Sequence, residues 1–141
     1  MPAVSEVEAA LYELAPRELA QSWDNVGLLV GDPTSQVSSV LVALDVTQEV
    51  AEEAAKRGCG LIVAHHPLMN CAWSPVQSVR TDQTQGKLIT TLIQNGISAI
   101  CMHTNLDSAS GGVNDALAAA LGLKDIAPLS EDGIGRIGTL D

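Results

Sequence analysis

Three apolar runs, "SVLVALDV" at 39–46, "GLIVAHH" at 60–66 and "ISAICMH" at 97–103, alternate with segments that read as helices, and this alternation constrains the fold more than any other feature. Near-continuous apolar runs suit strands covered on both faces. Between the first two, "QEVAEEAAKRG" follows Thr47 as a cap, carries acids early and Lys56 and Arg57 late, and meets Gly58 where a helix stops. "GKLITTLIQNG" repeats the helix-then-glycine pattern before the third run. Strands and helices in this order make βαβ units with right-handed crossovers. The expected class is therefore α/β: a mostly parallel sheet built from βαβ units, with helices on both faces.

The flanks extend the pattern. "VSEVEAALYELAPRELAQ" reads as an amphipathic helix with Ser5 and Glu8 in capping-box register and a stop at Pro16. "NVGLLVGDP" is a short strand ended by Gly31, Asp32 and Pro33, and Trp23, Asp24 and Asn25 before it read most simply as an aromatic anchor and a turn. Residues 70–86 are irregular, "GVNDALAAALG" is a further helix that stops at Gly122, and "GIGRIGTLD" opens like a strand with no partner. A chain of 141 residues is long enough for one domain with its own core.

In open parallel sheets, ligands bind outside the carboxyl ends of the strands. Those ends carry Asp45 after the first run, His65 and His66 after the second, and His103 with Asp107 in "HTNLD" after the third, so all three histidines of the chain fall on one sheet edge. Within a regular strand, neighbouring side chains point to opposite faces, whereas at a strand end His65 and His66 can splay toward two adjacent ions. Pro67 holds His66 extended and closes the strand. The expectation is a dinuclear centre with the imidazoles each giving a nitrogen and Asp107 bridging. Mixed nitrogen and oxygen ligation suits zinc, iron, manganese or cobalt better than calcium or magnesium. Two such ions about 3.5–4 Å apart make a shared water acidic enough for hydrolysis at neutral pH. Each residue also has a plainer reading: the histidines as hydrogen-bonded core residues, Asp45 as a turn or cap residue before Thr47, and Asp107 as a cap for the last helix.

Charge and motifs exclude other classes. A formal net charge of −10 opposes broad binding to nucleic acid or anionic membrane. The N-terminus has no basic region followed by an apolar core, and no apolar run of about 18 residues occurs, so the cytoplasm is the expected location. Cys59, Cys71 and Cys101 form no CxxC and read as buried, reduced thiols. Phosphate-loop, nucleophile-elbow and dinucleotide fingerprints are all absent.

"SWDNVGLLVGDP", "VALDVTQEVAEEAAKRGCGLIVAHHPL" and "HTNLDSASGGVNDALAAALGL", in that order, resemble the Nif-three-like family of dinuclear-metal-centre proteins, some of which carry the name type-two GTP cyclohydrolase I. The resemblance implies a two-lobed α/β fold of which this chain is the first lobe, a ring-shaped homohexamer, and two divalent ions facing its inner cavity. It also implies that His65 and His66 are the paired metal-binding histidines and Asp107 the bridging aspartate. His103 opens the third motif and is implied to lie near the ions, behind the ligands or as an acid/base residue. The family completes its site with a histidine and a glutamate near the C-terminus, but this chain has no histidine after His103, and Glu131 is its only later glutamate. Residues 1–141 are accordingly expected to form a single domain, an N-terminal fragment of a longer protein, that binds metal weakly and exposes an apolar sheet face or edge. The implied activity is metal-dependent hydrolysis of a nucleotide-like or other small phosphorylated substrate; the alternative is a non-catalytic, metal-binding hexameric scaffold or interaction protein.

Overall fold

A computed structural model describes residues 1–71 and 75–141; part of the irregular stretch expected at 70–86 therefore lies outside the described residues. The elements follow in the order α1 (Val4–Leu14), a short 3-10 turn (Arg17–Leu19), β1 (Gly27–Val30), β2 (Val40–Ala43), α2 (Gln48–Arg57), β3 (Leu61–Ala64), α3 (Thr84–Gln94), β4 (Ser98–Cys101), α4 (Thr104–Ser108), α5 (Val113–Ala120), β5 (Lys124–Pro128) and β6 (Arg136–Thr139).

The three apolar runs form β2, β3 and β4, which pair in parallel and in register, Ala43 with Ala64 and Ala64 with Cys101. β1 joins the far side of β4 in the antiparallel sense, giving the order β1-β4-β3-β2 and the mostly parallel α/β sheet expected. Strand alternation sends Ile62, Ala64, Ala99 and Cys101 to one face, against Ala51 and Ala54 of α2 and Leu88, Ile89 and Leu92 of α3. Leu61, Ile100 and Met102 go to the other, against Val4, Val7 and Leu11 of α1 and Leu106 of α4. Fully burying a large aliphatic side chain such as Leu61, Ile62, Leu92 or Ile100 contributes about 1.5–3 kcal/mol. Gly31 ends β1 at φ +116°, where an added Cβ would lie 2.6 Å from Ser98 Cα, so only glycine allows this approach to β4.

Thr47 caps α2 as expected, its Oγ1 accepting from the Val50 N–H at 3.2 Å, and Gly58 closes it at φ +67°. At four points the molecule departs from the sequence pattern. The cap of α1 is at Ala3, whose N–H donates to Glu6 Oε2 at 2.7 Å; Glu8 instead accepts from the Leu28 N–H of β1. β2 is an edge strand with one face uncovered: Val42 is 78% exposed and Val40 41%. The apolar edge expected of a first lobe is thus present. Arg136–Thr139 does have a partner, pairing antiparallel with β5 in a separate hairpin. Asp107 does not cap α5, whose N-cap is Gly112 with no side-chain cap. Cys59, Cys71 and Cys101 are buried thiols. Among the described residues no helix is long and apolar enough to cross a membrane.

Candidate metal centre

β3 ends at Ala64, and the chain then curls so that the N–H groups of His65 and His66 both donate to the Leu44 carbonyl, at 3.2 and 3.0 Å. That turn cancels the strand alternation. The two rings end on the same side, with centroids 5.1 Å apart. His103 follows β4 as the residue that opens α4, and its ring centroid lies 5.0 Å from that of His65 and 5.6 Å from that of His66. One ring nitrogen from each of the three lies within 4.8 Å of the other two. Asp107 stands one helical turn after His103, with its N–H bonded to the His103 carbonyl, and so shares its side of α4.

Each imidazole has its Nδ1 held by an oxygen that can only accept. His65 Nδ1–H donates to the Met102 carbonyl at 2.8 Å, and His66 Nδ1–H to Asp45 Oδ1 at 2.7 Å. His103 Nδ1–H donates to both oxygens of Asp24, at 3.0 and 3.1 Å. With Nδ1 protonated, a neutral ring keeps its lone pair on Nε2, the arrangement found where histidines bind metal and a carboxylate or carbonyl fixes their tautomer. His65 Nε2 in turn faces Asp107 Oδ1 at 3.5 Å. Two lone-pair atoms facing each other call for a cation or a proton between them. A separation of about 3.3–3.5 Å is what two ligands show around a tetrahedral zinc-sized ion with bonds near 2.0–2.1 Å. On this chemistry the donor set fits a divalent transition metal. The cluster lies half buried, with His103 the deepest of the three histidines.

Asp24, which the local pattern marks only as part of a turn, belongs to this cluster. Its side chain is 0% exposed and accepts from Thr104 Oγ1–H at 2.5 Å and from the Thr104 N–H at 3.1 Å as well as from His103. Burial alone raises its pKa, but the hydrogen bonds from the Thr104 hydroxyl, His103 and the N–H groups of Thr104 and Asn25 outweigh burial and leave it below the ordinary carboxylate value. Asp24 reaches His103 because β1 is antiparallel to β4: Gly27 pairs with Cys101, so the chain just before β1 lies beside the chain just after β4. Asp45 is more than the turn or cap residue its place before Thr47 suggests, since it is the acceptor for His66. Beside His65, Leu11, Leu14, Val42, Val63, Met102 and Leu106 line an apolar groove of about 160 Å³.

Residues 2–141 match the family model for Duf34/NIF3 (NGG1p interacting factor 3). Two relatives named "GTP cyclohydrolase 1 type 2 homolog" are 43% identical over 97% of this chain, in Streptomyces coelicolor, and 39% identical over 95%, in Clostridium perfringens. The chain spans about half the length of each, 50% and 52%. Among solved structures, a Bacillus cereus protein related to NIF3 superposes with a TM-score of 0.85 at 42% identity, over 92% of this chain and 35% of that one. Reduced HcgD from Methanocaldococcus jannaschii superposes with a TM-score of 0.88 at 33% identity, over 97% of this chain and 54% of that one. With the family model matched along almost the whole sequence and the same fold in these relatives, the chain belongs to the DUF34/NIF3 family.

Proposed function

We propose that the histidine cluster is a divalent-metal centre, with His65, His66 and Asp107 as ligands, and that the whole protein uses it as a metal-dependent hydrolase. The observation that carries this reading is the set of three imidazoles whose Nδ1 atoms are all held by oxygen acceptors, so that their Nε2 lone pairs serve one pocket. Two ions of zinc, iron, manganese or cobalt are the occupancy we infer. When bound, they supply Lewis acidity toward a phosphoryl or carbonyl oxygen and acidify a coordinated water.

The chain's own residues do the rest. Met102 and Asp45 orient His65 and His66 through their carbonyl and carboxylate. His103, fixed at Nδ1 by Asp24, accepts and returns a proton at Nε2. The apolar groove beside His65 keeps water from one flank of the pocket. The relatives' name suggests a nucleotide-like or other small phosphorylated substrate. A homohexamer acting in the cytoplasm, with no nucleic-acid or membrane partner, completes the proposal; the charge of −10 supports that last part.

A second reading, a metal-binding scaffold without turnover, is favoured by one observation. A hollow of about 630 Å³ lies between β2 and α2 and touches none of the three histidines. Elemental analysis and zinc titration of the whole protein test the metal centre: His65→Ala, His66→Ala and Asp107→Ala are each expected to lose bound metal. Retention of metal by all three folded variants would refute it. Turnover of a nucleotide or phosphoester by the whole protein, abolished by Asp107→Asn, selects the enzyme over the scaffold.

A further inference from the structure

Asp24 sits in the loop that leads into β1, remote in sequence from the histidines, and its carboxylate is sealed from solvent. A buried carboxylate is costly unless donors surround it. Here the donors come from Thr104, through both its hydroxyl and its N–H, from the Asn25 N–H at 2.8 Å and from His103 Nδ1. The Thr104 hydroxyl oxygen in turn accepts from the Gln21 N–H at 2.9 Å, so the carboxylate is held on a braced support. Of these donors only the imidazole has a choice of which nitrogen carries the proton. A carboxylate that offers nothing but acceptor oxygens removes that choice.

The three imidazole supports differ in kind. His65 leans on a main-chain carbonyl, and His66 on Asp45, whose side chain is about half exposed and open to competition from water. Only His103 has a fully buried, doubly anchored acid behind it, with Trp23 set edge-on to the ring at 6.1 Å between centroids. We propose that Asp24 is a positioning residue for His103, fixing the imidazole as its Nδ1–H tautomer and aiming Nε2 into the pocket shared with His65 and His66. In its effect on metal binding this rests on the metal-centre reading above; in its effect on the tautomer it does not.

The test is two-bond nitrogen-15 NMR of the histidine rings at about pH 8, above the ordinary imidazole range, with calorimetric titration of Zn²⁺ alone, in the 141-residue chain and in Asp24→Asn. The wild type is expected to show His103 protonated at Nδ1. In Asp24→Asn one oxygen acceptor becomes an NH₂ donor opposed to the donors of Thr104 and His103, so His103 is expected to shift toward the Nε2–H form. Zinc binding is expected to weaken, because the Nε2–H form of His103 turns an N–H instead of a lone pair toward the ions held by His65, His66 and Asp107. His65, whose acceptor is main chain, is expected to keep its tautomer. Finding the wild-type His103 proton on Nε2 would overturn the proposal whether or not the variant folds. So would a folded Asp24→Asn chain with an unchanged His103 tautomer. If neither this chain nor the whole protein binds zinc while the tautomer still responds to Asp24→Asn, the metal reading falls and the positioning role stands. If the variant binds zinc normally and its His103 tautomer is unchanged, the positioning role falls and the metal reading stands.

Discussion

Cys101 lies on β4 one residue before Met102, whose carbonyl holds His65, and burial pushes its thiol from an ordinary 9.0 up to about 12. The raised folded pKa fixes the sign of a pH effect. Between pH 9 and 12 the unfolded chain has released this proton while the folded chain still holds it, so the contribution is full below pH 9 and is lost as pH rises toward 12. Urea denaturation across that interval is expected to show falling stability, with a shallower fall in Cys101→Ala. At the same scale, four of the candidate site residues are legible from sequence, because His65, His66, His103 and Asp107 all follow apolar runs whose ends a parallel sheet gathers. The parts of Asp24 and Asp45 are not. Asp45 looks like any acid ahead of a capping threonine, and Asp24 gains its role from a strand direction that no local pattern encodes.

Among the elements, α2 is the one whose sequence signals agree throughout: a capping threonine, early acids, late bases and a left-handed glycine. Thr47→Ala removes the Oγ1 acceptor for Val50 N–H and is expected to lower stability by about 1 kcal/mol in chemical denaturation. The Asp45–His66 pair just ahead of it should be preserved, which the histidine ring NMR signals would report. α1 shows why caps are harder to read elsewhere. Its first donors are met by main chain, Val4 N–H by the Ser35 carbonyl and Ser5 N–H by the Pro33 carbonyl, so Ser5 is not needed as a cap and the helix starts earlier. That long-range pairing also frees Glu8 to hold β1. β2 departs from its pattern for a related reason: its composition is that of an interior strand, and what makes it an edge is its terminal place in the sheet order, which composition does not register.

For the whole molecule, that edge is the feature with the largest consequence for handling. β2 has no lysine, proline or bulge to blunt it, the devices by which edges usually resist pairing with other chains. Hollows flank it on both sides, one toward α2 that Glu49, Glu53 and Arg57 also line and an apolar one toward α1. Val42→Lys places a charge on a side chain that is already 78% exposed. It is expected to leave the melting temperature unchanged and to reduce association at high concentration, as light scattering would detect. The β5–β6 hairpin is fastened differently, through the ion pair of Arg136 with Asp115 on α5 and through Arg136 to the carbonyls of Gly133 and Gly135. Finally, the parallel registry of β2, β3 and β4 sets where the imidazoles emerge, since His65 leaves the sheet directly after Ala64 and His103 two residues after Cys101. A slip of one rung in β3 would exchange the side chains between its two packed faces and carry both of its histidines out of step with His103. A cation that bound only the assembled pocket would therefore favour the correctly registered sheet over misaligned ones.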